Sequence, residues 1–160
     1  MVFRDFEEFI ACLNAERVRF MVVGGYAVGF HGHPRATKDL DILVEPKSDN
    51  AKRVLRAMAA FLGSSPRGVT ETKLTNPRTL IVLGVAPIRI DVLTSISGIP
   101  SFDAAYRKRS RGSFGEVPAN YLCLADLMRA KRASGRLQDL ADVEALEKVR
   151  KRELISKRKR

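Results

Sequence analysis

The stretch from Val22 to Val44 constrains this chain more than any other. A short apolar run, Val18 to Val23, stops at Gly24-Gly25, and after thirteen intervening residues Asp39-Leu40-Asp41 opens a second run that ends at Val44. Apolar β-type residues cut short by paired glycines read as a strand entering a turn. Leu40, Ile42 and Val44 alternate with Asp39, Asp41 and Leu43, which is the period of a half-buried strand. On such a strand Asp39 and Asp41 point to the same face. Two carboxylates held that close repel, and the repulsion raises a proton affinity unless a cation sits between them.

Around this stretch the pattern alternates between helix and strand. Phe3, Phe6, Phe9, Ile10 and Leu13 recur at helical spacing, so an amphipathic helix opens the chain. A brief helix is expected over Tyr26 to Phe30, then a polar loop from His31 to Lys38. Ser48 is placed as the N-cap of a helix whose apolar face is Ala51, Val54, Leu55, Met58, Phe61 and Leu62. After a turn-rich break from Gly63 to Gly68, Thr79 to Leu83 and Ile88 to Leu93 read as a hairpin separated by Gly84 and Pro87. Ser97 to Pro118 gives the weakest signal, with a short strand near Phe114 to Val117. Helical spacing starts at Leu122, breaks at Ser134-Gly135 and resumes through Leu137, Leu140, Val143 and Leu146. The order predicts an α/β (α+β) fold: a core over residues 1–118, C-terminal helices over 119–150 packed on it, and a basic tail over 151–160.

Charge is distributed unevenly. Of a net +11, Lys148 to Arg160 supply +7 and the run Arg107-Lys108-Arg109-Ser110-Arg111 supplies +4, which leaves the rest of the chain balanced. Concentrated charge of this kind attracts a polyanion, and the bland alternative is a tail that is solvated, disordered or a helix end. No apolar run approaches the roughly 20 residues that span a bilayer, so no membrane partner is expected. The first residues carry acids and aromatics where a secretory signal would be basic and then apolar, so the expected location is the cytoplasm. Cys12 and Cys123 have no spacing motif for a disulfide framework or a zinc site. His31 and His33 flank Gly32 without a third ligand nearby, which also argues against zinc.

A third carboxylate, Asp91, sits on the strand Ile88 to Leu93 among apolar residues, an odd place for a charge unless it serves a metal or a catalytic proton. Hard oxygen ligands suit Mg²⁺, which keeps several waters and is completed by substrate phosphates. Gly24-Gly25 would let backbone N–H groups approach a phosphate chain at the start of a helix. Arg35 is a candidate phosphate contact, and Tyr26 either stacks on a base or covers the core.

The order of strand, Gly24-Gly25, short helix, Asp39-Leu40-Asp41 and later Asp91 resembles the DNA polymerase β-type nucleotidyltransferase superfamily. Within it, Arg35-Ala36-Thr37-Lys38-Asp39-Leu40-Asp41 is similar to small stand-alone bacterial members and the AbiEii-type toxins. Lys131, Arg136, Asp139 and Asp142 match a helical lysine-arginine-aspartate-aspartate motif of those proteins. Gly25 stands where many members carry serine. The resemblance implies a nucleotidyltransferase fold with a small mixed sheet flanked by helices. It implies Mg²⁺, or Mn²⁺ in its place, held by Asp39, Asp41 and Asp91. It further implies an NTP substrate contacted by Gly24, Gly25, Arg35, Thr37, Lys131 and Arg136, with Asp139 and Asp142 in support. The expected reaction moves a nucleotide to an acceptor hydroxyl on RNA or tRNA in a toxin–antitoxin setting, with an antitoxin or other partner protein in view. Transfer to a small aminoglycoside-like molecule or to a partner protein is the alternative. A nucleotide- or RNA-binding module without turnover is the reading from a different class.

Overall fold

Spacing of three and four puts Phe6, Phe9, Ile10 and Leu13 on one stripe of a helix. All four are fully buried in the computed structural model, which describes residues 4–159. Phe3, assigned to the same stripe from the sequence, lies outside the described residues. In chain order the elements are α1 (Arg4–Ala15), β1 (Phe20–Val23), α2 (Gly24–Phe30), β2 (Asp39–Val44), α3 (Ser48–Leu62), α4 (Glu71–Thr75), β3 (Leu80–Val85) and β4 (Ile88–Leu93). They continue with α5 (Phe102–Arg107), β5 (Ser110–Phe114), β6 (Val117–Tyr121), α6 (Leu124–Ser134) and α7 (Leu137–Arg158). The class is mixed α/β of the α+β kind, in agreement with the sequence.

The strands form one mixed sheet in the order β3-β4-β2-β1-β6-β5. β1 runs antiparallel to β2 and parallel to β6, and β2 runs parallel to β4. The hairpins β3–β4 and β5–β6 form its two edges. Because β1 and β2 lie centrally, their apolar residues are buried: all of β1, and Leu40, Ile42, Leu43 and Val44 of β2. Asp39 and Asp41 stay partly exposed on the face opposite Leu40 and Ile42. Leu43 shares the face of the two acids yet is buried, so that face opens only along the N-terminal half of β2.

Several expectations shift in detail. The residues Phe114 and Val117 belong to two strands and not to one, joined by Gly115-Glu116, where Gly115 takes the left-handed φ of 57° that a two-residue hairpin loop needs at its first position. Two short helices escaped the pattern, and both are capped locally. Thr70 accepts from the Lys73 N–H (3.2 Å) at the start of α4, and Ser101 accepts from the Ala104 N–H (3.2 Å) at the start of α5. Ser48 is not the N-cap of α3: it is the first helical residue, Lys47 precedes it as the cap, and its hydroxyl donates to Glu71 instead. β6 straddles residue 118, the expected end of the core, so the sheet runs on to Tyr121.

The C-terminal helices follow the predicted break. Gly135, in the left-handed region at φ 69°, ends α6. α7 then runs unbroken into the basic tail, about 33 Å for its 22 residues. Val149 rests against Gly32 in the loop before β2: a Cβ on Gly32 would lie 3.0 Å from its Cγ1. Beyond Arg150 every described residue of α7 is exposed. None of the helices is long and apolar enough to cross a membrane among the described residues.

Candidate functional site

Parallel pairing sets Asp39 beside Arg89 and Asp41 beside Asp91, while antiparallel pairing sets Val23 beside Asp41. Residues in register on strands ~4.8 Å apart share a face, so Asp39, Asp41, Arg89 and Asp91 form one patch at the end of β1. The sequence placed two of these carboxylates on one face; the sheet brings the third alongside. Asp91, 8% exposed, receives both arms of the Arg89 guanidinium, Nε to Oδ1 at 2.7 Å and Nη2 to Oδ2 at 3.1 Å. The carboxylates of Asp39 and Asp41 have no hydrogen-bond or ion-pair partner among the described residues. Burial first, then Asp91 and Asp39, raise the pKa of Asp41 to about 7 against the pull of Lys131 and Arg136.

The donor set suits a hard divalent cation. It consists of oxygen donors alone, two of the three carboxylates lack a protein partner, and three acids face the single cation Arg89. As positioned, no three His, Cys, Asp or Glu side chains among the described residues gather around one point, and Asp91 has both oxygens on Arg89.

The glycines are required by close approach. Gly24 follows the last residue of β1 at φ +66°, and a Cβ there would lie 2.1 Å from Oδ2 of Asp41. The carboxylate thus occupies the space a side chain would need. At Gly25 a Cβ would meet Oγ1 of Thr37 at 2.8 Å and Nη2 of Arg35 at 3.3 Å. Thr37 also donates to its near neighbour, the Asp39 carbonyl, at 3.4 Å.

Across from this patch lies an ion network on α6 and α7. Lys131, 7% exposed, donates to Oδ1 of Asp139 (3.0 Å) and Oδ2 of Asp142 (2.9 Å). Arg136 donates to Oδ2 of Asp139 at 2.8 Å. Arg35 reaches in from the loop before β2 and forks onto Asp142, at 2.8 and 2.9 Å, and Gln138 adds a bond at 3.1 Å. Burial alone would raise both aspartates, but these donors win. Asp139 is held at about 2, and Asp142 is also held below the usual carboxylate range. Three cations here face two acids, so one positive charge is in excess. Lys131, Arg136 and Arg35, expected to meet a triphosphate, are first of all bonded to Asp139 and Asp142.

Between the two sides is a cleft of about 690 Å³. Asp41, Gly24 and Val23 line its floor; Lys131, Arg136 and Asp139 line the helical wall. Arg78, Ser95 and Ser97 face it from the turn before β3 and the segment after β4, residues that the sequence did not single out. Arg89 was also missed, although its alternation with Asp91 on β4 carried the signal.

Other candidates have structural employment. The Nε2–H of His31 donates to the Leu122 carbonyl (2.8 Å), and burial lowers its pKa. Tyr26 packs edge-on to Phe6 and against Phe114, so it covers the core. Within the basic run at 107–111, Arg109 lies over the Tyr106 ring at 3.9 Å and donates to Asn120, while Lys108 donates to Asp126. That run is therefore largely built into the fold, and the exposed end of α7 is the freer positive surface. Against known proteins the sequence stands without a match, either to a protein-family model or to a curated protein.

Proposed function

We propose that the chain is a Mg²⁺-dependent nucleotidyltransferase that moves a nucleoside monophosphate from an NTP to an acceptor hydroxyl on RNA, above all tRNA, in a toxin–antitoxin setting. The observation that carries this reading is the registered patch of Asp39, Asp41 and Asp91 at the end of β1, whose Asp41 lines a cleft with a cationic far wall. Asp39 and Asp41, unpartnered, would hold Mg²⁺ (or Mn²⁺) with Asp91 completing the set, and the ion would supply neutralisation of the phosphate charge as the displacement proceeds. Gly24, with no side chain, lets the Asp41 carboxylate lie against the backbone at the cleft floor, where the ion would be held.

The chain's own residues divide the remaining work. Asp91, held in orientation by Arg89, takes the proton of the attacking hydroxyl. The new bond forms from that oxygen to the α-phosphorus, the bond from the α-phosphorus to the bridging oxygen breaks, and pyrophosphate leaves with the electron pair. Arg136 and Lys131, at the cleft wall, favour the charge that gathers on the leaving pyrophosphate. Buried Lys131 also positions the wall by holding Asp139 and Asp142. The exposed cations at the end of α7 are the surface offered to a polyanionic acceptor.

Incubation with each α-³²P-labelled NTP, Mg²⁺ and total bacterial RNA tests the reading, with an Asp39→Ala, Asp41→Ala double variant alongside. Label entering RNA with the unaltered protein alone is the expected outcome. No label on RNA, on added aminoglycosides or on partner protein would overturn the enzyme assignment.

A further inference from the structure

Resting on the nucleotidyltransferase reading, we infer that Arg78, on a fastened turn across the cleft from α6, grips the β- and γ-phosphates of the NTP. Three cations line the cleft: Arg78, Lys131 and Arg136. Lys131 and Arg136 already hold aspartates. Arg78 has no hydrogen-bond or ion-pair partner among the described residues. An NTP brings about four negative charges to a cleft whose sheet side is itself acidic. A divalent ion offsets the excess of the aspartate patch, and the helical network offers a single positive charge in excess. The unspent charge that remains on the lining is the guanidinium of Arg78, whose planar fork matches two phosphate oxygens at once.

The turn that carries Arg78 is built to hold still. Thr94, 3% exposed, donates to the Asn76 carbonyl (2.6 Å), and its hydroxyl accepts from the Thr79 N–H (2.9 Å). The Thr94 N–H donates to the Thr79 carbonyl (3.1 Å), and Ser95 donates to the Pro77 carbonyl (3.1 Å). Thr79 in turn donates to the Lys73 carbonyl at 2.6 Å. The neighbours of Arg78 on both sides are thus tied down, Pro77 restricts the backbone entering it, and only the arginine side chain is left unbonded. A buried hydroxyl that serves this turn lowers the entropy lost when the side chain closes on an anion.

Titration calorimetry with Mg²⁺ present and each of the four NTPs, then the matching monophosphate of the tightest, tests this on full-length protein. Arg78→Ala is expected to weaken NTP binding roughly 10- to 100-fold, leave the monophosphate within about twofold and leave the melting temperature unchanged. Arg78→Lys should fall between, because a point charge keeps attraction and loses the fork. Thr94→Val, which keeps Arg78 but unfastens its turn, should weaken NTP binding severalfold and spare the monophosphate. Equal NTP affinity of unaltered protein and Arg78→Ala would overturn the inference while the function stands. Equal losses for triphosphate and monophosphate would place Arg78 on the nucleoside or α-phosphate and also overturn it. An unaltered protein that binds no NTP would overturn the function and this inference together.

Discussion

Five aspartates lie on the two sides of one cleft, with Asp41 and Asp139 on its lining, and the two sides treat them in opposite ways. On the helical side every carboxylate oxygen of Asp139 and Asp142 receives a donor, and the proton affinity of Asp139 is pulled down to about 2. On the sheet side Asp41 receives none, and burial pushes its pKa up to about 7. Composition does not separate the two groups; the supply of protein cations does. The helical side is a latch closed from within, since Arg35 ties the loop before β2 to α7 and Lys131 ties α6 to α7. The sheet side is left short of positive charge, with one guanidinium for three acids. The cost of burying an unpaired carboxylate therefore falls on Asp41 and not on Asp142, and under the proposed function a bound divalent ion would offset it.

The contrast breaks most sharply at Lys131. Lys131→Ala should cost about 3 kcal/mol, because it takes a charge-assisted bond from each of two buried carboxylates that keep Arg136, Arg35 and Gln138, and urea denaturation at neutral pH measures the loss. The sheet side should respond to ligand in the other direction. Saturating Mg²⁺ and NTP at 100 times the dissociation constant should stabilise the unaltered protein by about 2.7 kcal/mol by mass action. The gain, read as a thermal shift, should vanish in Asp39→Ala, Asp41→Ala; an equal shift in both proteins would detach the ligand from the patch.

Acidity sharpens the comparison further, because the two sides have opposite signs. Asp41 has a folded pKa above its unfolded value, so its burial cost is absent below about pH 4, grows as pH rises and is complete above about pH 7. Asp41→Asn should therefore add nothing to stability at pH 4 and on the order of 1–3 kcal/mol at pH 8, followed by denaturation across that range. Asp139 runs the other way: its stabilisation is full above about pH 4 and is lost as pH falls towards 2. The smallest effect belongs to neither side. Removing residues 151–160 should change stability by about 0.5 kcal/mol or less, since the described part of that segment is exposed. The same truncation should flatten the salt dependence of RNA affinity, measured by filter binding at several ionic strengths.

How far the sequence reached is itself governed by distance along the chain. Asp39 and Asp41 were legible as a pair because alternation is a local rule, and so was the odd position of Asp91. That Asp91 lies in register with Asp41 depends on β2 and β4 being neighbours, which no local pattern states. Lys131, Arg136, Asp139 and Asp142 were legible as a cluster, yet their mutual bonding and the fork from Arg35, 107 residues away, came only with the fold. The hairpin β5–β6 hid behind Gly112, Gly115 and Pro118. Pro118 sits opposite Ser113 of β5, on a strand that pairs with β1 only further on, at Tyr121. Helices α4 and α5 are too short for periodicity to show; their threonine and serine caps were the available signal.

The unbroken length of α7 has a mechanical consequence. Its first turns carry Asp139 and Asp142, its middle bears on Gly32 through Val149, and its last turns stand clear of the globule. A helix is stiff on this scale, so the arrangement is a lever with its fulcrum at Val149. Whatever takes hold of the arm from Lys151 to Arg158 applies torque, through that pivot, to the anchors of Lys131 and Arg35.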